Sequence, residues 1–176
     1  MNSKNEDAIQ DLFEEASSAI DVGRLEKGEE LLRQVLQEEP EHAGALNKMG
    51  VIHALRKEKD RAREYFEESL QADRRNAPAL TNLANIYLEK EELHQAESMY
   101  NEALTYDPEY GPAHNNLAAI YKKKGEYGKM VSSLKKARKA GTISVDHSEK
   151  SIFLNPGCLL FLGLIIVGIL LIFLLQ

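Results

Sequence analysis

A pattern of two amphipathic segments recurs along this chain with a period of about 34 residues. It is clearest in residues 77–110, where the apolar residues of the first segment recur at helical spacing and are Leu80, Leu83, Ala84 and Tyr87. The second segment has its own apolar face, made of Leu93, Ala96, Tyr100, Ala103 and Leu104. Pro108 ends it, because proline cannot donate the next backbone hydrogen bond. Two short helices cannot bury such faces alone, so the pattern predicts helix pairs stacked on copies of themselves.

Copies of the pattern lie on both sides of this stretch, in the same register and without a gap. The copy at 43–76 has matching residues at Leu46, Met49, Gly50, Ala62 and Phe66. The copy that begins at residue 111 has them at His114, Leu117, Ala118, Tyr121, Gly125, Tyr127 and Leu134. A more diverged copy at 9–42 keeps Leu12, Ala16, Ala19, Gly23, Leu32, Val35 and Pro40. Four consecutive copies in register strongly indicate a helical repeat protein.

This spacing resembles the tetratricopeptide repeat, which has a large residue, Leu-Gly, Tyr, Ala, an aromatic residue and Pro at fixed offsets. The resemblance covers roughly residues 9–141, after a polar extension at 1–8. It implies an all-α, right-handed superhelix (a solenoid) in which the first helix of each helix-turn-helix unit lines a concave face. About four units are expected, at 9–42, 43–76, 77–110 and 111–141.

The periodicity predicts eight helices joined by connections of a few residues. Gly23 and Pro40 end the helices of the first pair, and Pro78 and Pro112 lie in first turns, where a missing N–H is not needed. The expected helices are 6–21, 25–39, 43–57, 60–72, 77–90, 93–106, 112–124 and 127–140. Because the connections are short, neighbouring helices must run antiparallel.

The sequence departs from the repeat pattern at several places. Glu15 stands at a normally apolar position, which predicts that the first helix turns this side to water. His53 replaces the usual Tyr, and together with His114 it is expected to be a packing residue of the repeat framework. The histidines and the cysteine do not have the spacing of a metal site, so no metal is expected.

Composition excludes several classes of function. The net charge is −6, and the basic residues gather in residues 122–150, which contain nine Lys or Arg and three Asp or Glu. A nucleic-acid-binding protein needs a broad basic surface, so no nucleic-acid partner is expected. The single cysteine allows no internal disulfide. Since the sequence has no catalytic set and no phosphate-binding glycine loop, we expect no enzyme activity and no cofactor.

After a predicted linker at 142–154, the composition changes abruptly at 155–176. Cys158–Leu175 contains no charged residue, and as a helix it would be about 27 Å long, near the hydrocarbon thickness of a bilayer. A buried core helix is the alternative, but no other part of the chain remains to surround it. We therefore predict a transmembrane helix, and, since only Gln176 follows it, a tail-anchored protein. Cys158 is a candidate for palmitoylation.

A membrane-proximal basic cluster precedes the predicted span and consists of Lys135, Lys136, Arg138 and Lys139. No charged residue follows the span, so the positive-inside rule predicts a single-pass protein whose repeats lie in the cytoplasm. The membrane would be the plasma membrane in a bacterium, or the endoplasmic reticulum rather than the mitochondrial outer membrane in a eukaryote. The cluster would also attract anionic lipid headgroups, or it is only a solvated helix face and topology signal.

The predicted concave face provides the candidate binding site. Its polar residues, placed there by their positions on the first helices, are Asn47, Lys48, Asn82, Asn85, Asn115, Asn116 and Lys123. Because an amide can pair with both the C=O and the N–H of an extended peptide, these residues predict a peptide-binding groove. The alternative is that asparagine is merely tolerated on an exposed helix. Asn85 and Asn116 resemble the asparagines of repeat domains that clamp a C-terminal carboxylate, but Thr81 stands where that clamp has a lysine.

These features predict a non-catalytic, membrane-tethered adaptor that binds a partner protein or peptide in the groove. One alternative is a self-assembling structural component or scaffold at a membrane, and therefore a homo-oligomer. It follows from an apolar outer face that we expect near Ile120, Met130 and Leu134. Another alternative is an organelle-fission-type receptor, since such receptors also join repeat-like helices to a membrane span.

Overall fold

The computed structural model describes residues 3–142, and all eight helices expected there are present. In chain order they are α1 (Ser3–Asp21), α2 (Leu25–Glu38), α3 (Ala43–Leu55), α4 (Lys59–Ala72), α5 (Ala77–Glu89), α6 (Leu93–Tyr106), α7 (Gly111–Lys124) and α8 (Tyr127–Lys139). Their ends differ from the predicted ends by no more than three residues. This part of the chain is all-α, as predicted.

Local chemistry explains where several helices begin and end. The ring of His42 accepts a hydrogen bond from the N–H of Ala45 at the start of α3, at 3.0 Å. Asn76 does the same for α5 and accepts from the N–H of Ala79 at 3.0 Å. Both bonds satisfy backbone donors that a first helical turn leaves unpaired. Gly125 follows α7 with a φ of 73°, a left-handed conformation that glycine adopts without steric cost.

The helices stack as four antiparallel pairs, each packed on the next, so that α2 contacts α3, α4 contacts α5 and α6 contacts α7. The first helices also contact one another in the order α1, α3, α5, α7. Within residues 3–142 the second helices make no such contacts with one another. The stack therefore curves with its first helices on the inner, concave side, and the predicted helix-turn-helix solenoid is confirmed.

The core lies between successive pairs. Leu32, Phe66 and Tyr100 occupy the same place in three successive second helices, and their exposed fractions are 0, 2 and 0 %. Each of them packs in a cluster with residues of the first helix that follows it. Burying a side chain of this size stabilises the fold by about 1.5–3 kcal/mol. The stack is therefore held together by a repeated contact between neighbouring pairs.

The residues that depart from the repeat pattern behave as predicted. Glu15 is exposed and forms an ion pair with Nζ of Lys27 at 2.6 Å. His53 and His114 are buried, with 6 and 4 % of their surfaces exposed. Nε2 of His114 lies 2.9 Å from the carbonyl oxygen of Pro108. Both histidines are packing residues of the repeat framework.

The prediction of an apolar outer face at Ile120, Met130 and Leu134 is wrong for Ile120, which is fully buried. Ile120 belongs to the cluster that contains Tyr100, and Met130 packs against the same cluster. Leu134 is exposed, at 37 %. The difference arises because α7 is enclosed by α6 and α8, whereas no helix of the described residues covers the far side of α8.

Asn76 joins the second and third helix pairs through a chain of hydrogen bonds. Its Nδ2 donates to Oγ of Ser69 at 3.2 Å, and this hydroxyl donates to the carbonyl oxygen of Ala43 at 2.8 Å. Ser69 is fully buried, so water cannot replace a partner that it loses. Asn76 thus caps α5 and also completes a buried polar contact.

Replacing Asn76 by alanine is expected to lower the free energy of unfolding by about 1–2 kcal/mol, because α5 loses its cap and Ser69 loses a partner. Urea unfolding followed by circular dichroism measures this change. Asn76→Asp is the matched control, since its carboxylate still caps α5 but cannot donate to Ser69, and it should lose less. Equal losses in both variants would contradict the contribution of the cap.

In the part of the chain that the structure describes, no helix is both long and apolar enough to cross a membrane. The predicted anchor at 155–176 lies outside the described residues, as does the predicted linker at 142–154 beyond its first residue. The predicted membrane span therefore stays a prediction.

Candidate functional site

Two adjoining cavities open on the concave side of the stack. Cavity A has a volume of about 340 Å³ and is lined by Phe13, Gly44, Asn47, Lys48, Val51, Asn76, Pro78, Asn82 and Tyr110. Cavity B has a volume of about 220 Å³ and is lined by Val51, Ala54, Leu55, Lys59, Ala62, Phe66, Asn82, Asn85, Ile86 and Glu89. Because Val51 and Asn82 line both cavities, the two form one continuous surface, which we call the groove.

Cavity B has an apolar wall and a charged rim. Leu55, at the end of α3, is 59 % exposed and follows the half-buried Val51 by one helical turn. Ile86 of α5 is nearly buried and forms the opposite wall. Lys59 and Glu89 form an ion pair at 2.6 Å on the rim. An exposed leucine inside a concave pocket is well placed to contact an apolar side chain of a bound partner.

The amides predicted to bind a peptide form hydrogen bonds with one another. Nδ2 of Asn82 donates to Oδ1 of Asn47 at 2.9 Å, and Nδ2 of Asn116 donates to Oδ1 of Asn85 at 2.8 Å. Each bond joins neighbouring first helices, so these amides help to hold the repeats together. Among the hydrogen bonds of residues 3–142, Nδ2 of Asn85 and Oδ1 of Asn82 and Asn116 have no partner, so they can still bind a peptide backbone.

Tyr100 supports this arrangement from the core. Its hydroxyl donates to Oδ1 of Asn85 at 2.5 Å. Burial raises the pKa of Tyr100, and the amide of Asn116 lowers it only in part, so the hydroxyl stays protonated and remains a donor. Sequence reasoning missed this role. The available signal was a tyrosine at the place of the apolar Leu32 and Phe66, since a buried hydroxyl needs a hydrogen-bond partner.

The other predicted groove residues have different surroundings. Nζ of Lys123 lies 2.6 Å from Oε1 of Glu91, and Nζ of Lys48 lies 3.8 Å from Oδ1 of Asp21. Asn115 is half-buried and makes no side-chain hydrogen bond within residues 3–142. The structure therefore brings the four other asparagines together in two pairs, while the two lysines face carboxylates of neighbouring repeats.

Thr81 stands at the position where a carboxylate clamp has a lysine, and this position is uncharged. Thr81 is buried, and in the described part of the chain its hydroxyl has no hydrogen-bond partner. A buried threonine cannot bind a carboxylate at the groove surface. The chemistry that the groove offers at α5 is thus amide and apolar contact rather than an ion pair with a C-terminal carboxylate.

The predicted basic cluster lies on α8 and is exposed. Nζ of Lys139 is 2.6 Å from Oε1 of Glu109, and this hydrogen bond lowers the pKa of Glu109 and raises the pKa of Lys139. Within residues 3–142, Lys135, Lys136 and Arg138 form no ion pair. Three positive charges of the cluster thus have no counter-charge in the repeat domain.

A third cavity, of about 320 Å³, lies between α2 and α4 and is lined by Glu29, Arg33, His53, Arg56, Glu58, Arg61, Glu64, Tyr65 and Glu68. Nδ1 of His53 is 2.7 Å from Oε2 of Glu58, and its ring stacks on Tyr65 at 5.1 Å between centroids. Nη1 of Arg56 donates to Oε2 of Glu29 at 2.6 Å. Burial raises the pKa of Glu29, but the hydrogen bond from Arg56 and the charge of Arg33 outweigh it, so the pKa is lowered overall. The ion pair between Arg56 and Glu29 joins the first two repeats.

Among residues 3–142, no group of three or more His, Cys, Asp or Glu side chains has the geometry of a metal site. Because Arg56 pairs with Glu29 of the preceding repeat, the charged cavity is a structural joint between repeats, and the groove is the better candidate for binding a partner.

Three family models, each described as a tetratricopeptide repeat, match residues 13–77, 77–110 and 99–131. A comparison with curated proteins found no match. Similarity to solved structures extends over most of the described helices.

The crystal structure of MamA is 20 % identical and has a TM-score of 0.59, with 76 % of this chain and 78 % of MamA covered. PilF of Pseudomonas aeruginosa is 21 % identical with a TM-score of 0.68, covering 79 % of this chain and 64 % of PilF. A repeat protein of Thermus thermophilus is 23 % identical with a TM-score of 0.64, covering 73 % of this chain and 72 % of that protein. At these identities, the similarity shows the fold alone.

Proposed function

Residues 13–131 of this chain are tetratricopeptide repeats, and from this we propose that the chain is a non-catalytic adaptor that binds a segment of a partner protein in its groove. Proteins of this repeat class are in general protein-interaction modules. The observation that carries the proposal is the continuity of cavities A and B, which places an apolar pocket beside amides with free hydrogen-bonding atoms.

The groove suits an extended peptide segment. The free amide atoms of Asn82, Asn85 and Asn116 can pair with its backbone, independently of its sequence. An apolar side chain of the segment would enter cavity B between Leu55 and Ile86. Backbone pairing would supply affinity, and the apolar pocket would supply selectivity for a large aliphatic or aromatic residue.

We further propose that Cys158–Leu175 anchors the adaptor in a membrane, with the repeats on the cytoplasmic side. The proposal rests on the uncharged, apolar composition of this segment and on the basic cluster that precedes it. A tether would raise the effective concentration of the bound partner near other membrane components without any new contact. The plasma membrane of a bacterium or the endoplasmic reticulum of a eukaryote fits the charge pattern.

Leu55→Glu is expected to weaken partner binding about tenfold or more, because it places a charge in the apolar pocket. Leu55 is largely exposed, so the free energy of unfolding should change by no more than about 0.5 kcal/mol. Partners captured by the full chain from detergent-solubilised native membranes would be identified, purified and titrated against each variant.

Val22→Glu is the matched control, because Val22 is 66 % exposed and does not line the groove. A partner that is lost with Leu55→Glu and retained with Val22→Glu supports the groove. Substitution of the groove asparagines by alanine is a weaker test, since it also removes bonds between repeats. If all partners bind both variants equally, the groove is not the binding surface.

A further inference from the structure

Helix α8 carries an exposed apolar stripe. Tyr127, Val131 and Leu134 are 65, 55 and 37 % exposed. Their spacing of four and then three residues places them on one face of the helix, and Arg138, four residues further, continues that face. Such a stripe on a water-exposed helix indicates a surface that contacts something else. We call these four residues the α8 face.

The α8 face is not simply the contact that the inner repeats make with their neighbours. Leu134 does occupy the place of Leu32, Phe66 and Tyr100, each of which the following helix covers. The place of Arg138, however, is held in the inner repeats by three half-buried leucines, Leu36, Leu70 and Leu104. The place of Val131 is held there by charged residues, namely Glu29, Arg63 and Glu97. In the last repeat, therefore, a basic residue replaces an apolar one at the first of these positions, and an apolar residue replaces a charged one at the second.

The result is a helix face that is both apolar and basic. Lys135 flanks the stripe, and within residues 3–142 neither it nor Arg138 has an ion-pair partner. Basic residues next to exposed Tyr, Val and Leu are the composition of helices that lie in a membrane interface. Tyrosine in particular favours the level of the headgroups, where its ring contacts apolar chains and its hydroxyl can form hydrogen bonds with polar groups.

We propose that the α8 face docks on the anionic lipid surface of a membrane. The inference deepens the proposed membrane tether, on which it partly rests. Cys158 follows the end of α8 by about 18 residues, which reach no further than about 60 Å even when fully extended. A span at Cys158–Leu175 would thus limit the distance of α8 from the bilayer and leave the headgroups within its reach. Each basic residue at an anionic surface contributes about 1 kcal/mol.

A second copy of the chain fits the α8 face less well. If two α8 faces met, Arg138 and Lys135 would find no opposite charge on the other copy, because α8 contains no acidic residue. The outer side of α1 is the other candidate and offers negative charge at Asp11 and Glu15, but in residues 5–21 it exposes no large apolar residue to meet the stripe. An anionic bilayer offers both negatively charged headgroups and an apolar interior.

The chain contains no tryptophan, so Tyr127→Trp in the full chain gives a single fluorescent reporter on the α8 face. This protein would be added to vesicles of phosphatidylcholine alone or with phosphatidylserine. We expect a blue shift of the emission, and quenching by brominated lipids, when anionic lipid is present. Val22→Trp, at an exposed residue between α1 and α2, is the matched control and should show neither.

A double substitution tests the contribution of the positive charges. Lys135→Glu combined with Arg138→Glu in the Tyr127→Trp chain should weaken the response to anionic vesicles at least tenfold, since two favourable charges are lost. Both residues are exposed, so the fold should be preserved. High salt should weaken the response in the parent protein as well.

The outcomes separate the alternatives. An emission that stays at the water-exposed wavelength with anionic vesicles overturns the proposal. A blue shift that occurs without lipid, grows with protein concentration and accompanies a doubled molecular mass also overturns the proposal. It would show that the α8 face binds a second copy of the chain. Flotation of the chain with neutral vesicles tests the proposed membrane anchor independently of the α8 face. If flotation fails but the anionic response remains, the α8 face docks on lipid although the proposed anchor is wrong.

Discussion

Tyr100→Ala is expected to lower the free energy of unfolding by about 3–5 kcal/mol, the largest loss that we predict for a single substitution. Tyr100 is fully buried between the third and fourth pairs, where it packs with Ala113, Leu117 and Ile120 of α7. Its removal leaves a cavity that stiff neighbouring helices cannot close. It also removes the hydroxyl that donates a hydrogen bond to Oδ1 of Asn85.

Tyr100→Phe separates the two contributions. It keeps the ring and removes only the hydroxyl, while Asn85 retains its bond from Asn116, so the loss should be about 1 kcal/mol. Urea unfolding of the full chain in mild detergent, followed by circular dichroism, gives both values. If Tyr100→Ala costs no more than Tyr100→Phe, then the ring is not a core contact between these pairs.

Gly50→Ala is expected to destabilise the chain by about 2 kcal/mol, although alanine is the better helix former. A Cβ at Gly50 would clash with Cε1 of Phe66 and would lie 3.1 Å from the backbone oxygen of Ala62. Phe66 is nearly fully buried, so its ring cannot swing away. Overpacking costs up to about 3 kcal/mol, while the gain in helix propensity is about 1 kcal/mol, and the clash therefore outweighs it.

The effect of Gly50→Ala on stability should change sign when the ring of Phe66 is removed. In a Phe66→Leu background, the shorter side chain leaves room for the methyl group, and Gly50→Ala should be neutral or stabilising. The double-mutant cycle, measured by the same unfolding experiment, gives the coupling between the two residues. A coupling near zero would show that Gly50 and Phe66 do not meet as closely as the structure indicates.

Much of the repeat architecture was predictable because its signals are local. The spacing of Leu80, Leu83, Ala84 and Tyr87 alone indicates a helix with one buried face, and Pro108 alone marks the end of the helix that follows. Helix ends were misplaced by up to three residues, since hydrogen bonds to the first and last turns set them. The start of α5, where Asn76 accepts such a bond from Ala79, was placed correctly.

The groove was predictable only in part. Helical periodicity placed the asparagines on the concave side, but it could not show that Asn82 bonds to Asn47, which lies 35 residues earlier in the chain. Leu55 was missed as a groove residue. Its signal was an apolar side chain one turn after Val51, on the side of α3 that carries Asn47. Such a signal is weak in the sequence, because an apolar residue in a helix is more often buried.

The sequence by itself determined the helices, the repeat period and the side of each pair that packs inward, because these depend on residues three or four apart. The tertiary structure decided which buried groups meet across repeats. It placed Ile120 in the core, paired the amides and, within the described helices, left the α8 face uncovered. Such contacts join residues about thirty positions apart, and they depend on how the pairs stack, which no local pattern specifies.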